Sequence, residues 1–266
     1  MKKIAERKTM TMNYGLIGEK LGHSLSKPIH ESLADYTYEI HPLTKEEFKT
    51  FMEEKAFRAI NVTIPYKKDV IPYLDSMDDN AKAIGAVNTI VNTEGKLRGY
   101  NTDFSGFDYM VVRHSIELKG KKVIILGNGG AAQAVKAVVK KHQAGEMVVV
   151  DVVDDGESIS YEECFHKHTD ADAVINTSPI GMYPNTNASP VDLTKFPNCK
   201  AVMDVVYNPL TTKLTAQARE LGMIGVNGLE MLVAQAKYAV EIFLGVKISE
   251  NRIQEIYEEM KQKMAE

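Results

Sequence analysis

The chain has 266 residues, a net charge of −4, and 44% hydrophobic and 26% charged side chains. That length suits one large domain or two smaller ones with their own cores, and the acidic balance argues against a nucleic-acid partner. No apolar run reaches the length of a membrane span, and Cys164 and Cys199, outside any C-x-x-C pattern, fit free thiols in a reducing cytoplasm rather than a disulfide framework.

Residues 1–12 are basic but lack the apolar core of a secretory signal, so they read as a short solvated extension. Short β-type runs follow at 13–18, 36–43 and 57–64, and a hairpin over 86–103 turns at Glu94-Gly95. Helical patterns over 26–34, 44–54, 67–75 and 76–84 lie between them, the third bracketed by Pro65 and Pro72. Such alternation predicts a largely parallel sheet covered by helices. From Lys121 the pattern sharpens. Strands are expected at 121–127, 146–151, 171–178 and 200–207, a helix after the turn at 127–130, another over 212–222, and a short strand before 228. An amphipathic helix over 228–246 and a charged one over 249–266 close the chain. The fold class is therefore α/β with two domains, 13–103 and 104–226, and the helices of 227–266 are expected to pack back on the first.

Gly127-Asn128-Gly129-Gly130-Ala131-Ala132 is a G-x-G-G-A-A variant of the dinucleotide-binding turn. Glycines let the backbone turn tightly and let a pyrophosphate come close, and the helix N-terminus then offers free N–H groups. Gly-rich strand–helix turns also arise for packing alone. Here the turn follows a strand, opens a helix and has an acid at the end of the next strand, which is the context the motif requires.

The first half carries polar residues at strand ends, where open α/β folds bind ligands. HSLSKPIH offers Ser24 and Ser26 before a helix; either can be an N-cap, and two hydroxyls this close can also hold a carboxylate. INVTIPYKK sets Asn61, Thr63 and Lys67 after an apolar run, where a lone lysine is ordinarily just solvated. AVNTI places Asn88 and Thr89 within a strand, and GYNTD places Asn101 and Asp103 at the end of another, where turn chemistry alone can account for Asn101. Together they describe a pocket with one lysine, one carboxylate and several neutral donors. With a dinucleotide, that set suggests hydride transfer with a proton relay. His166 and His168 lack partners for a metal site, so none is expected, and no nucleophile-elbow motif is present.

The motifs YGLIGEKLGHSLSKPIH, INVTIPYKK, GAVNTIV, GYNTDFSGF, GNGGAA, INTSPIGM, MDVVYNPLTT and NGLEMLVAQA occur in the order found in shikimate dehydrogenases. The chain resembles that family from about Tyr14 to about Gly245. The resemblance implies reversible reduction of 3-dehydroshikimate to shikimate, a step toward the aromatic amino acids, by a soluble cytoplasmic monomer or homodimer using NADP or NAD. It further implies that Lys67 and Asp103 are catalytic. Ser24 and Ser26 would hold the substrate carboxylate, Thr63, Asn88 and Asp103 the ring hydroxyls, and Tyr207 and Gln235 would reach the substrate from across a cleft. The cofactor would meet Gly127, Asn128, Gly129, Gly130, Ala131, Asp151, Thr177, Ser178, Val205, Gly228 and Met231. A quinate/shikimate dehydrogenase of broader range is the near alternative, and a non-catalytic shikimate- or dinucleotide-binding protein the distant one. Retention of both Lys67 and Asp103 speaks against the latter. A methylene-tetrahydrofolate-type dehydrogenase would not explain HSLS together with GYNTD.

The match has one gap. Where the family usually carries an Asn-Arg-Thr type motif and a further cation for the 2′-phosphate of NADP, this chain reads Asp151-Val152-Val153-Asp154-Asp155, with no Arg or Lys before Tyr161. Asp151 follows Gly127 by 24 residues, close to the spacing of about 20 expected of the acid that binds an adenosine ribose. NAD is therefore expected to serve at least as well as NADP.

Overall fold

A computed structural model describes residues 12–22, 24–153 and 156–265. The expected extension, apart from Met12, lies outside the described residues, as do His23 of the HSLS motif and Asp154 and Asp155 of the acidic turn.

Among the described residues two sheets form. The first uses β1 (Met12–Gly18), β2 (Tyr38–Pro42), β3 (Phe57–Val62), β4 (Ser76–Met77), β5 (Thr89–Thr93) and β6 (Lys96–Tyr100), with α1 (Ser26–Leu33), α2 (Lys45–Glu54) and α3 (Asp79–Ile84) between them. Strand order is β2-β1-β3-β5-β6-β4. β2 and β3 flank β1 in parallel, whereas β5 runs antiparallel to β3 and to β6. The sheet is thus mixed rather than largely parallel, because the hairpin turning at Glu94-Gly95 enters it whole. Side chains alternate across the strands. Ile17, Ile60, Val62, Ile90 and Leu97 pack with Phe48 and Met52 of α2 on one face, and Tyr14, Leu16, Tyr38 and Ala59 make the other. α2 begins at a reciprocal cap between Thr44 and Glu47, the arrangement its TKEE sequence favours.

Residues 67–84 depart from expectation. The segment expected to be helical over 67–75 is a run of turns ending in a 3-10 turn at Ile71–Tyr73, and only Asp79–Ile84 of 76–84 is α-helical. Tertiary hydrogen bonds outweigh local helix periodicity here. Asp75 N–H donates to the Leu97 carbonyl, the Asp75 carboxylate accepts from Leu97 N–H, and Asp78 N–H donates to the Gly99 carbonyl, so Ser76–Met77 pairs with β6 as an edge strand.

The second sheet contains β7 (Lys122–Leu126), β8 (Glu146–Val150), β9 (Ala173–Asn176), β10 (Ala201–Asp204) and β11 (Ile224–Val226), all parallel, in the order β11-β10-β9-β7-β8. Helix α4 (Thr102–Arg113) leads in, and α5 (Gly130–Lys141), α6 (Tyr161–Lys167) and α7 (Lys213–Glu220) connect the strands. Val123, Ile125, Ala173, Ile175 and Met203 face one apolar layer, and Ile124, Leu126, Val148, Val174 and Val202 the other. Burial on both faces explains why these strands read as unbroken apolar runs. The strand order reverses between β7 and β9, which is where doubly wound sheets bind their ligands.

α8 (Leu229–Leu244) and α9 (Asn251–Ala265) finish the chain. α8 packs along α4 and α1, and Phe243 near its end joins the tyrosine-lined face of the first sheet. Gly106 allows the α4 contact: a Cβ there would lie 2.7 Å from the Met231 carbonyl and 2.9 Å from Gln235 Cβ. Gly106→Ala is therefore expected to destabilise the fold by about 1–3 kcal/mol, the cost of overpacking. Denaturant titration measures it, and an unchanged midpoint would show that the two helices separate freely.

Candidate active site

The pocket residues belong to elements that end at one edge of the first sheet. β3 delivers Asn61, and the turn after it carries Thr63 and Lys67. Thr63 N–H donates to the Ile17 carbonyl, and the Lys67 carbonyl accepts from Val87 N–H at 2.8 Å. Asn88 lies just before β5 rather than within it. Asn101 caps α4, its Oδ1 accepting from Phe104 N–H while its Nδ2 donates to the Ala86 carbonyl. Asn101 thus does the turn chemistry expected of it, and that cap sets Asp103 in the first turn of α4.

Lys67 Nζ donates to Asp103 Oδ2 at 2.6 Å, with the two side chains only 15% and 11% exposed. The lysine stem points toward the Gly-rich turn, since a Cβ on Gly130 would lie 3.7 Å from Lys67 Cδ. An ammonium fixed by a carboxylate therefore sits beside the predicted dinucleotide turn. Behind it Asn88, Thr102 and Gln235 join in one buried group: Asn88 Nδ2 donates to Thr102 Oγ1 at 3.0 Å, and Thr102 Oγ1 donates to Gln235 Oε1 at 3.3 Å. Gln235 reaches this group from α8 across the sequence, as a substrate contact on a returning helix must.

Ser24 Oγ accepts from Ser26 N–H at 3.2 Å. The N-cap of α1 is Leu25, with no side-chain cap, so Ser24 satisfies one donor of the helix start while Ser26 does not act as a cap. Gly18 borders Thr63; a Cβ there would lie 2.6 Å from Thr63 Cγ2. Tyr207 packs among Leu25, Ile29, Leu229 and Val233, and burial pushes its phenol above the ordinary range. Ser24, Ser26, Thr63 and Tyr207 make no direct hydrogen bond to the Lys67–Asp103 pair among the described residues.

The dinucleotide turn fits its expected ligand. Gly127 has φ +94°, and a Cβ there would lie 3.0 Å from Ser178 N and 3.1 Å from Thr177 Oγ1. That close approach joins the end of β7 to the end of β9, across the point where strand order reverses. α5 starts at Gly129, which offers no side-chain cap, and a Cβ on Gly129 would meet nothing within 4 Å. The head of the helix thus has neither a side-chain cap nor a neighbour over Gly129, which suits an anionic pyrophosphate at the helix N-terminus. Gly228 is pressed against the Val205 carbonyl, so any Cβ there would collide with it. Met231 packs with Val205 in the core below.

Asp151 takes a more structural position than its sequence context suggests. Its Oδ2 accepts from Asn128 N–H at 2.6 Å, and its Oδ1 from Val152 N–H at 2.6 Å and Val153 N–H at 3.2 Å. Val152 and Val153 themselves are exposed, at 81% and 62%. Lys136 approaches the same corner, its Nζ donating to Asn128 Oδ1 at 2.9 Å and lying 3.7 Å from Glu157 Oε2.

Several contributors had no clear sequence signal. Helix α4 is one, although Asn101 followed by an apolar Phe104-x-x-Phe107 pattern is a legible start. Lys136 is another, one face of a helix away from the turn. Asp204 is a third: buried at the end of β10, it accepts from Thr212 Oγ1, Val206 N–H and Asn176 Nδ2 and so ties the Tyr207 loop to the end of β9. Burial pushes its carboxyl up to about 6 against those three donors.

A family model for the shikimate dehydrogenase substrate binding domain matches residues 16–90. The shikimate dehydrogenase (NADP(+)) of Clostridium perfringens (strain SM101 / Type A) is 40% identical over 93% of this chain and 98% of its own length. The crystal structure of a chorismate mutase/shikimate 5-dehydrogenase fusion protein from Clostridium acetobutylicum superposes with a TM-score of 0.89 at 37% identity, covering 96% of this chain and 99% of the other. Shikimate 5-dehydrogenase from Listeria monocytogenes, in complex with shikimate and NAD, superposes with a TM-score of 0.78 at 29% identity, covering 96% and 99%. The similarity runs through both sheets and the returning helices, and with the Lys67–Asp103 pair set beside the Gly-rich turn it places this chain in the shikimate dehydrogenase family.

Proposed function

We propose that the protein catalyses the reversible reduction of 3-dehydroshikimate to shikimate with a nicotinamide dinucleotide. The observation that carries this reading is the buried Lys67–Asp103 pair at 2.6 Å, beside a glycine turn that begins a helix with no side-chain cap. We read 13–103 as the substrate domain, 104–226 as the dinucleotide domain and 227–266 as helices returning to the first.

A dinucleotide bound at Gly127–Ala131, Thr177, Ser178, Val205, Gly228 and Met231 supplies the hydride. The protein supplies the rest. As the substrate ketone becomes an alcohol, its oxygen gathers negative charge and needs a proton. The Lys67 ammonium stabilises that charge and donates the proton. Asp103 holds the ammonium in place and accepts a hydrogen bond from a ring hydroxyl. Thr63, Asn88 and Gln235 bind the hydroxyls, Ser24 and Ser26 the carboxylate, and Tyr207 closes the far side. At the adenosine end, the Asp151 carboxylate at the end of β8, tied to the glycine turn through Asn128 N–H, would oppose the charge of a 2′-phosphate, which favours NAD.

Shikimate-dependent reduction of dinucleotide by the purified protein tests the reaction, and no turnover with either cofactor overturns it. The carboxylate assignment has its own test. Ser24→Ala and Ser26→Ala are each expected to weaken shikimate binding by about 0.5–1.5 kcal/mol, with cofactor KM unchanged. If both variants lose thermal stability yet bind shikimate normally, the serines serve only the helix start.

A further inference from the structure

Behind Asn88 and Gln235 runs a buried network of hydrogen bonds. The Tyr38 hydroxyl donates to Asn61 Oδ1 at 2.7 Å. Asn61 Nδ2 donates to the Asn88 carbonyl at 3.1 Å and to Thr89 Oγ1 at 3.0 Å. Thr89 Oγ1 donates to Asn88 Oδ1 at 2.9 Å. Asn88 Nδ2 then donates to Thr102 Oγ1, and Thr102 Oγ1 to Gln235 Oε1.

An amide's oxygen and nitrogen are easily interchanged, so a direction has meaning only where unambiguous groups pin it. Each amide here meets a backbone group that does so. Thr102 N–H donates to Asn88 Oδ1 at 2.7 Å, the Asn88 carbonyl accepts from Asn61, and the Leu232 carbonyl accepts from Gln235 Nε2 at 2.9 Å. Proton counting fixes the hydroxyls. Each has one proton. Asn61 Oδ1 can only accept, so Tyr38 spends its proton there, and Thr102 Oγ1 spends its proton on one of two acceptors in reach, Asn88 Oδ1 at 3.2 Å or Gln235 Oε1 at 3.3 Å. That leaves Thr102 Oγ1 as the acceptor for Asn88. Thr89 Oγ1 accepts from Asn61, so its own proton goes to Asn88. Among the described residues Asn88 and Gln235 each use one side-chain N–H inside the protein and keep one over, and the Asn88 oxygen is occupied by Thr102 N–H.

We propose that Tyr38 and Thr89 are positioning residues for the substrate site, locking Asn88 and Gln235 as N–H donors toward it. Both side chains are fully buried, at 0% exposure, so neither acts by contact with a ligand. His30 stacks on the Tyr38 ring at 4.0 Å and 17°, which holds the phenol at the head of the series. The inference rests on the proposed function, because it gives the two amides a substrate to meet. Ring hydroxyls facing them must accept, and so have their own protons free for Asp103.

Thr89→Val removes an acceptor from Asn61 and a donor from Asn88, and Thr89→Ser keeps both. Tyr38→Phe deletes one oxygen. One or two neutral hydrogen bonds translate into about 2–10-fold in binding. Thr89→Val is expected to raise shikimate KM, and its Kd by calorimetry, by about 10-fold. Tyr38→Phe should raise both by about 3-fold, and Thr89→Ser should stay near wild type. Dinucleotide KM should not move in any of them. A lowered thermal midpoint with unchanged shikimate KM in both Thr89→Val and Tyr38→Phe would overturn the positioning role while leaving the function standing. Should Thr89→Val not fold, Tyr38→Phe decides alone. A wild-type protein that neither binds nor turns over shikimate overturns the function and this inference with it.

Discussion

Lys67→Ala is expected to lower kcat by about 10²–10⁴-fold with a much smaller change in shikimate KM, the pattern left by loss of a general acid that acts chiefly in the transition state. The geometry narrows the expectation. Lys67 is held by Asp103 at 2.6 Å and by its backbone bond from Val87, and its stem borders Gly130, so one ammonium is fixed beside the turn proposed to bind the dinucleotide. Asp103→Asn keeps a hydrogen-bond acceptor but removes the charge that orients the ammonium. It should therefore lower kcat and weaken shikimate binding together, since the same carboxylate receives a ring hydroxyl. Steady-state kinetics on the two variants separates these effects. Wild-type kcat in Lys67→Ala would remove the lysine from the mechanism.

The second large effect concerns the adenosine end. Asp151→Asn is expected to shift the ratio of kcat/KM for NAD over NADP toward NADP by about 10-fold or more, because like-charge contact at a binding site costs on the order of several kcal/mol. The structure decides which substitution is informative. Asp151 accepts three backbone N–H groups, one of them from Asn128 in the glycine turn. Alanine would remove all three bonds, whereas asparagine removes the charge and keeps one acceptor oxygen, its NH2 then facing the N–H on the other side, so the ratio between the two cofactors rather than either KM is the readout. Lys136 is the nearby cation that could offset the acid, but Glu157 and Asn128 already share it. Fluorescence titration with reduced cofactors in the absence of substrate gives the same ratio independently of turnover. An unchanged ratio in Asp151→Asn would show that the carboxylate plays no part in cofactor choice.

Legibility followed the range of the interactions. The parallel sheet of the second half was readable because its strands are buried on both faces and show as apolar runs. The glycine turn was readable because the backbone demand at Gly127 leaves a sequence trace. Residues 67–75 misled because their helix-like spacing competes with pairing between Ser76–Met77 and β6, a bond partner 22 residues away. Helix α4 has a weak sequence signal because it starts directly at the end of β6, within the run that reads as a hairpin.

The candidate site divided in the same way. Lys67, Asp103, Asn88 and Gln235 stood out as polar groups in apolar settings or in family motifs. Nothing local could say that Asp151 would turn its carboxylate toward backbone N–H groups, or that Lys136 would swing to Asn128. Tyr38 is the extreme case. In sequence it is one more aromatic in a β-run, and only the register of β2 on β1 and of β1 on β3 brings its hydroxyl to Asn61.

The most direct test of the account is a steady-state assay of the purified wild-type protein with shikimate and with quinate, each paired with NAD and with NADP. The account predicts efficient oxidation of shikimate, weaker oxidation of quinate, and a kcat/KM for NAD at least equal to that for NADP. Absence of shikimate turnover with both cofactors would contradict the proposed reaction, and clear preference for NADP would contradict the role given to Asp151.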